Sequence, residues 1–318
     1  MSADHASILP IGIVGAGMIG MSWAICFARA GHPVRLYDSF PATTEKAMAA
    51  LPQLLRDLSD GDLLHDALPD DVLALVSPVD TLEAAVLDAY YVQENTPEKL
   101  DIKKQVFSQI DATMQGDTII GSSTSALMAS QFTLGMAHAA RCMVVHPLNP
   151  PHLIPAVEIV PHADTDELAV KSARDLMASI GQKPIVAALE SEGFIMNRLQ
   201  GALLDEAFKL HADGVASVAD IDTAMSAGLA RRWLFMGPFE TIDLNAPGGI
   251  SDFIDRYGPA YERIGQRRST RVDWQSEKVK LAIKERRDIL ALDQLGQRQN
   301  WRDACLARIS SALHKIGI

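Results

Sequence analysis

Short apolar runs alternate with longer amphipathic stretches in the first part of the chain. The runs have the length and spacing of buried strands, at IGIV, VRLYD, LALVSPV, YYVQEN, TIIGSS, MVVHPL, VEIVPH and PIVAAL. Helix-period patterns such as KLDIKKQVFSQIDA and DELAVKSARDLMASIG lie between most of them. Because strands that alternate with helices build parallel sheets, this part is predicted to be an α/β domain with a mostly parallel sheet.

Strand patterns end near residue 190, and long helical patterns take over. These are FIMNRLQGALLDEAFKLHADG, VADIDTAMSAGL, WQSEKVKLAIKERRDILALDQL and WRDACLARISSALHKIG. We therefore predict two domains, an α/β domain over residues 1–190 and an all-α domain over residues 191–318.

The first strand and the first helix are joined by a G-x-G-x-x-G turn at Gly15, Gly17 and Gly20. In such a turn the first glycine allows a tight bend, the second lets the backbone approach a pyrophosphate, and the third lets the helix pack on the strand. The helix after the turn begins with Met18 and then Ile19, and its first turn presents free N–H groups to the phosphates. This order of strand, turn and helix predicts a Rossmann-type dinucleotide-binding domain.

Asp38 ends the second strand, about 20 residues after the turn, where the dinucleotide fingerprint has an acid. A carboxylate there accepts hydrogen bonds from the adenosine ribose hydroxyls and repels a 2′-phosphate, so NAD is favoured over NADP. Arg35 has the opposite charge, but it lies inside the strand. The predicted cofactor site comprises Gly15, Gly17, Met18, Ile19, Gly20 and Asp38.

The chain has 318 residues and a formal net charge of -11. This acidic balance, with no basic run, argues against nucleic acids and anionic membranes as partners. No apolar stretch reaches the ~18 residues of a membrane span, and MSADHASILP lacks a cationic and apolar leader, so we expect a cytoplasmic protein. Cys26, Cys142 and Cys305 are widely spaced, so each is interpreted as a neutral thiol and no metal site is predicted.

The segment MVVHPLNPPHLIPAVEIVP carries the candidate acid–base chemistry. A nicotinamide dehydrogenase needs a base of near-neutral pKa, and His146 follows an apolar strand, where open α/β sheets bind ligands. Glu158 lies among apolar residues, where a carboxylate is costly to bury without a partner such as imidazolium. We predict His146 as the base and Glu158 as its partner. His152 is a competing base, but it has no evident orienting acid.

These residues and the motifs around them resemble the 3-hydroxyacyl-CoA dehydrogenase family, most closely its lambda-crystallin branch, whose members act as L-gulonate 3-dehydrogenases. The resemblance rests on GIVGAGMIGMSWA, SSTSALMAS, HPLNPPHLIPAVEIVPH, GFIMNRLQ, GPFETIDLN and WRDACLARI, which span the chain. It implies an NAD-dependent oxidation of a 3-hydroxyl group at an active site formed by Ser125, His146, Glu158 and Asn197. It also implies cofactor contacts from Asp38, Glu98 and Lys103.

Simpler local roles stay open for the residues that only the resemblance assigns. Ser125 is placed where a helix N-cap before ALMAS would be. Asn197 fits a polar position on an amphipathic helix. Glu98 and Lys103 are spaced as ion-pair partners on a helix surface are.

Two arginines in GLARRWLFMGPFE bear on the substrate, because the acyl-CoA enzymes have a glycine- and proline-rich turn there. A guanidinium binds a carboxylate bidentately, so Arg232, with Arg231 second, is the candidate for holding a short acid. A CoA substrate needs basic residues after the second strand, where PATTEKAMAALPQLLRDLSDGDLLHD has only Lys46 and Arg56. L-gulonate, oxidised to 3-dehydro-L-gulonate, is the first expectation.

Three alternatives remain for the function. L-carnitine has a trimethylammonium group that favours an aromatic cage, and Trp233, Phe235 and Tyr257 are available. A 3-hydroxyacyl-CoA such as 3-hydroxybutyryl-CoA is the second. A non-catalytic, crystallin-like or NAD-sensing protein is the third, but loss of His146 or Glu158 would mark it and both are present.

The helical part is predicted to form a homodimer. GPFETIDLNAPGGISDFIDRYGPAY and WRDACLARI have more apolar side chains than a domain of this size easily buries alone. The family resemblance implies the same state.

Overall fold

A computed structural model describes residues 10–64, 67–267 and 273–317. Among these residues the central feature is an eight-stranded sheet. In chain order β1 to β8 its strands are Ile11–Val14, Val34–Tyr37, Val76–Pro78, Tyr91–Glu94, Ile119–Ser122, Cys142–Pro147, Ala156–Pro161 and Lys183–Val186.

The strands lie in the spatial order β3-β2-β1-β4-β5-β6-β7-β8. Neighbouring strands are parallel except β6 and β7, which pair antiparallel. The first six strands thus have the Rossmann order. The strands that follow β1 extend the sheet first on one side of β1 and then, from β4 on, on the other side, so the switch point lies between β1 and β4. Ligands of open α/β sheets bind outside the carboxyl ends of the strands at such a switch point.

Helices are the only regular elements after β8 in the described part of the chain, and none there is long and apolar enough to cross a membrane. The predicted fold class is therefore confirmed. In chain order α1 to α13 the helices are Met18–Arg29, Pro41–Asp60, Pro69–Ala74, Leu82–Val86, Leu100–Thr113, Glu167–Ser179, Met196–Ala212, Val218–Thr223, Ala230–Trp233, Pro238–Asp243, Gly249–Arg267, Glu277–Ile289 and Leu295–Lys315.

Contacts within the chain define two compact units. The first unit ends at Asn197 and also takes in Trp301–Gly317, and the second is Arg198–Asn300. The domain boundary expected near residue 190 stays a prediction.

The last part of α13 packs against the core of the first unit. Ser310 Oγ donates a hydrogen bond to the Leu153 carbonyl at 3.0 Å. Leu306 and Ala307, one turn before it, pack against the buried cluster around β1 and α1. The first unit is therefore built from two separate stretches of sequence.

The sheet core is mostly apolar, and β4 carries two of its buried polar residues. All four residues of β1 are buried, as expected for a parallel strand covered on both faces. β4 is also fully buried, but two of its residues, Gln93 and Glu94, are polar. Burial raises the pKa of the Cys26 thiol to about 11 and that of Cys142 to about 12, which supports their interpretation as neutral thiols.

The three glycines of the turn after β1 have different surroundings. Gly15 has φ +94°, which side chains rarely adopt, and a Cβ there would lie 2.8 Å from the backbone of Asn95. A Cβ at Gly20 would lie 1.8 Å from the Gly15 carbonyl oxygen, whereas a Cβ at Gly17 would meet nothing within 4 Å. The fold therefore requires Gly15 and Gly20, and Gly17 leaves space for a ligand.

Gly20→Ala and Gly17→Ala are expected to separate folding from cofactor binding. The first change forces a methyl group onto a backbone carbonyl, and overpacking of this kind costs about 1 to 3 kcal/mol, so the Tm falls. The second change meets no protein atom and keeps the native Tm, but it fills the pyrophosphate space and weakens NAD binding. Thermal unfolding with and without NAD measures both effects, and a native Tm for Gly20→Ala would contradict the packing argument.

Candidate active site

A cleft of about 370 Å³ opens at the carboxyl ends of β1, β2 and β4. Asp38 lies at its edge, with Oδ2 accepting a hydrogen bond from the Ala16 amide and Oδ1 accepting one from the Phe40 amide, both at 2.9 Å. These bonds fix the carboxylate beside the glycine turn. The walls include Gly15, Gly17, Leu82, Thr96 and Val106.

This cleft fits NAD. Leu82 and Val106 supply apolar walls for a base, and the space beside Gly17 admits a pyrophosphate. Met18 is exposed at the start of α1, and Ile19 packs partly against the core behind it. Arg35 Nη1 donates to the carbonyls of Ala84 and Leu87. Its guanidinium is therefore already hydrogen-bonded within the protein and is not free to bind a 2′-phosphate.

The antiparallel register of β6 and β7 places His146 opposite Glu158. His146 Nδ1 donates a hydrogen bond to Glu158 Oε2 at 2.8 Å, and the two side chains are 5% and 0% exposed. Because a carboxylate only accepts, this bond selects the tautomer whose Nε2 is an acceptor. Nε2 makes no hydrogen bond to any residue that the structure describes. The pair has the geometry of a general base with its orienting acid.

The second oxygen of Glu158 is held by the start of α7. Oε1 accepts from the amides of Ile195 at 2.7 Å and Met196 at 2.8 Å. The first amides of a helix have no intrahelical partner, and the helix dipole favours an anion there. Phe194, which precedes them at the strained φ of +50°, packs its ring 5.7 Å from that of His146. The loop before α7 therefore stabilises the ionised carboxylate and covers the pair.

His152 is a much weaker base than its position in the loop suggests. Burial, reinforced by the charge of Arg29, lowers the pKa of His152 to about 4. Arg29 Nη1 donates to the His152 carbonyl at 3.0 Å, and within the described residues the buried Nδ1 has no partner. At neutral pH such a group has little affinity for a proton, so the structure favours His146.

The loop after β5 carries Ser125 and is held from two sides. Asn197 Nδ2 donates to the Ser125 carbonyl at 2.6 Å. On the other side, Glu98 Oε1 accepts from the backbone amides of residues 125–127 at 2.9 to 3.2 Å and from the Thr124 hydroxyl. The chain after Ser125 is irregular up to a short 3-10 turn at Ala129–Gln131, so the N-cap interpretation of Ser125 is wrong.

Glu98 is an ionised anchor of this loop. Partial burial by itself raises the pKa of Glu98, but the hydrogen bonds from Thr124, Ala126 and Leu127, with the charge of Lys103, lower it below its ordinary value. Glu98 therefore stays charged at neutral pH and keeps its hold on the amides.

Lys103 pairs with Glu98 Oε2 at 4.0 Å, but it is buried, so the location of this ion pair on a helix surface is wrong. Its side chain is 1% exposed, and Nζ lies 3.0 Å from Glu94 Oε2. The Thr96 carbonyl and Ser122 Oγ each lie 3.4 Å from Nζ. A buried ammonium needs such a partner, and the buried Glu94 of β4 provides it. The cofactor contacts of Lys103 and Glu98 stay predictions.

The loop after His146 and the glycine turn of the cofactor site meet at one end of the sheet. Asn149 Nδ2, in the loop after His146, donates to Met18 Sδ at 3.5 Å, beside the glycine turn.

Arg232 belongs to the second unit, where Nη1 donates to Asn245 Oδ1 at 3.3 Å. Among the described residues, the Arg232 guanidinium has this neutral amide oxygen as a hydrogen-bond partner.

Some contributors to the site were not predicted. The amides before α7 and the Phe194 ring have no sequence pattern that indicates them, because their role depends on backbone direction. Gln93 and Glu94 had a weak signal, since two polar residues interrupt an apolar strand pattern in YYVQEN. Within the described ranges, no group of three or more His, Cys, Asp or Glu side chains is arranged to hold a metal ion.

Two family models match the chain. One is described as 3-hydroxyacyl-CoA dehydrogenase, NAD binding domain, and it matches residues 10–190. The other is described as 3-hydroxyacyl-CoA dehydrogenase, C-terminal domain, and it matches residues 193–287. The cleft at the glycine turn lies in the part matched by the NAD-binding model.

Curated and solved relatives agree with these models. Lambda-crystallin of Oryctolagus cuniculus is 37% identical over 302 residues, which cover 94% of each chain. L-carnitine dehydrogenase of Streptomyces griseus is 38% identical over 254 residues, which cover 79% of this chain and 74% of that one. The solved 5-formyl-3-hydroxy-2-methylpyridine 4-carboxylic acid 5-dehydrogenase, an NAD+-dependent dismutase, has a TM-score of 0.82 at 30% identity, covering 97% of this chain and 98% of its own. The chain belongs to the 3-hydroxyacyl-CoA dehydrogenase family, and it is an NAD-dependent dehydrogenase that acts on a CH–OH group.

Proposed function

We propose that this enzyme oxidises the 3-hydroxyl group of a small hydroxy acid with NAD, and that L-gulonate, giving 3-dehydro-L-gulonate, is its substrate. The observation that carries the reaction is the buried bond between His146 and Glu158 at the sheet end that also holds the dinucleotide cleft. The resemblance to the lambda-crystallin branch supports L-gulonate. A cytoplasmic location and a homodimeric state are parts of the same proposal.

His146 and Glu158 supply the proton chemistry of this proposal. Nε2 of His146 takes the proton of the substrate hydroxyl. Glu158 holds Nδ1 and stabilises the imidazolium that results, while the Ile195 and Met196 amides hold the other oxygen of Glu158. When bound, NAD supplies the acceptor for the hydride that leaves the same carbon.

Ser125 and Asn197 are proposed to position the substrate oxygen and the cofactor ring. The bond from Asn197 to the Ser125 carbonyl supports this role, because it fixes one relative to the other. Holding the substrate and the cofactor in the reactive orientation lowers the barrier of hydride transfer, which proceeds without a covalent intermediate.

A free acid is favoured over an acyl-CoA. Arg232 carries a guanidinium whose partner is the neutral amide of Asn245, so its charge is available to a carboxylate. In α2, the arm after β2, the basic residues are Lys46 and Arg56, and Arg56 already donates to Gln53 at 2.8 Å. Few cations are thus available there for the phosphates of CoA.

L-carnitine is the second candidate substrate. The relative named L-carnitine dehydrogenase supports it, as do the side chains of Trp233, Phe235 and Tyr257, which are 42%, 53% and 47% exposed. A non-catalytic protein would not need a histidine and a glutamate bonded at 2.8 Å in a buried site.

Arg232→Met is expected to raise the KM for L-gulonate strongly. A lost charged hydrogen-bonding partner costs roughly 1.5 to 3 kcal/mol, or about ten- to a hundredfold. Arg232→Lys should recover little, because an ammonium cannot replace the planar fork. The native enzyme and both variants are assayed by NADH formation with L-gulonate, L-carnitine, 3-hydroxybutyrate and 3-hydroxybutyryl-CoA. The proposal would be contradicted if the native enzyme turned over the CoA ester strongly and if the Arg232 changes left the KM for the small acids unchanged.

His146→Gln is expected to lower kcat by about 10²- to 10⁴-fold, the usual cost of losing a general base, with NAD affinity near native. His152→Gln is the matched control. Because the pKa of His152 is about 4, its loss should leave kcat close to the native value. Steady-state kinetics and NAD titration measure both, and the reverse pattern would assign the base to His152.

Asp38→Ser is expected to weaken NAD binding and to narrow the preference for NAD over NADP. The change removes the carboxylate that accepts from the ribose hydroxyls and repels a 2′-phosphate. Dissociation constants for both dinucleotides, measured by fluorescence titration, test this. A native enzyme that already prefers NADP would rule out the assigned role of Asp38.

Dimerisation is proposed to cover an apolar face of α11. Ile254, Tyr257, Tyr261 and Ile264 recur at helical spacing and are 41% to 57% exposed. Ile254→Glu is expected to shift the protein towards monomer, whereas Leu168→Glu, at an exposed apolar position of α6, is not. Size-exclusion chromatography with light scattering measures the mass, and a native monomer at micromolar concentration would refute the dimer.

A further inference from the structure

Gln93 lies buried in the middle of the sheet, and the proposed reaction does not use it. It is 0% exposed. Its Nε2 donates to Ser123 Oγ at 2.7 Å and to the Val145 carbonyl at 3.1 Å, and its Oε1 accepts from the Tyr91 hydroxyl. The whole carboxamide is therefore satisfied, which is what a buried amide requires.

The bond to Val145 lies just beyond the end of the β5–β6 pairing. β5 and β6 pair as far as Ser122↔Val144, where β5 ends. The next carbonyl along β6, that of Val145, accepts a hydrogen bond from the Gln93 side chain of β4. A side chain thus reaches across one strand to hold the next, just where β6 approaches the candidate active site.

Gly121 makes room for the Tyr91 hydroxyl that holds Gln93. It is the β5 residue in register with Gln93. A Cβ at this glycine would lie 2.0 Å from the Tyr91 hydroxyl oxygen and 2.8 Å from the Val145 side chain. The missing side chain leaves the space that the Tyr91 hydroxyl occupies, and this hydroxyl donates to Gln93 Oε1.

The same network reaches the dinucleotide cleft. Ser123 Oγ, which accepts from Gln93, donates to Asn95 Oδ1 at 2.7 Å. Asn95 Nδ2 in turn lies 3.4 Å from the carbonyl of Val14, the residue before the glycine turn. Hydrogen bonds therefore run without interruption from the end of β1 to Val145, the residue before the candidate base.

We propose that Gln93 is a positioning residue that fixes His146 relative to the cofactor turn. The inference rests on the proposed function, because it takes His146 as the base. Holding the Val145 carbonyl fixes the backbone from which the imidazole extends, and Glu158 then fixes the ring. A misplacement of about 1 Å can cost about a hundredfold in rate, so this anchor controls turnover without touching a ligand.

Gln93→Leu tests the proposal, because it keeps the bulk and removes both donors. We expect kcat with L-gulonate and NAD to fall about tenfold to a hundredfold, with the Kd for NAD near native. Thr118→Val is the matched control, since it removes one buried bond, to the Ala89 carbonyl at 2.7 Å, just before β5 begins. Both changes lower the Tm, but only Gln93→Leu should lower kcat. Equal kcat in the two variants overturns the role.

The same change in a His146→Gln background separates positioning from general damage. If Gln93 acts through His146, the residual turnover is the same with and without Gln93→Leu. An added loss of the same size as in the native background overturns the inference. Near-native turnover of His146→Gln alone would instead overturn the proposed function, so the two failures are distinguishable.

A readout without activity uses the ring carbon–proton NMR signal of His146, assigned by its loss in His146→Gln. We expect this signal to shift or broaden in Gln93→Leu and to stay native in Thr118→Val. Ser123→Ala, which cuts the connection to Asn95 but leaves the bond to Val145, is the milder variant if Gln93→Leu fails to fold. A native signal and native kcat in Ser123→Ala would refute the connection to the cofactor turn.

Discussion

A carboxylate with no exposed surface has to be stabilised by the fold that buries it, and Glu158 imposes this constraint on the protein. Each of its oxygens has partners, the imidazole of His146 on one and the amides that open α7 on the other. Removing either set would leave one oxygen of this buried carboxylate without its partner, which is far more costly than losing an exposed ion pair. The β6–β7 register, the loop at Phe194 and the start of α7 therefore have to form together. A slip of one residue in that register would turn Glu158 to the opposite face of the sheet.

Much of this arrangement could be predicted from local patterns. The glycine turn, Asp38 and the alternation of strands and helices are encoded in short stretches, so sequence predicts them well. His146 and Glu158 could be paired because an acid in an apolar strand needs a cation nearby. What could not be predicted depends on long-range contacts. Lys103 looked like a surface residue because its partner Glu94 lies in a strand, and the α7 amides act through backbone direction, which no residue type reveals.

β4 shows why polar residues in a central strand need not weaken it. Neighbouring residues in a strand face opposite sides of the sheet, so Gln93 and Glu94 build two separate networks. Glu94 joins Lys103 and Ser122 on one side. Gln93 joins Tyr91 and Ser123 on the other. The strand next to the switch point thereby braces the loops above it from both faces, and satisfied polar networks of this kind also specify one arrangement of the core.

The divided first unit has a consequence for how the protein forms during synthesis. Residues 301–317 pack against the core around β1 and α1, yet they leave the ribosome after the whole of Arg198–Asn300. Domains generally fold as units in the order of their synthesis. Here the nucleotide-binding unit has to wait, with the face that receives Leu306 and Ala307 uncovered, until the helical unit has been made. The helical unit is in effect an insertion into the first, so the cofactor-binding core is covered only after translation has passed α13.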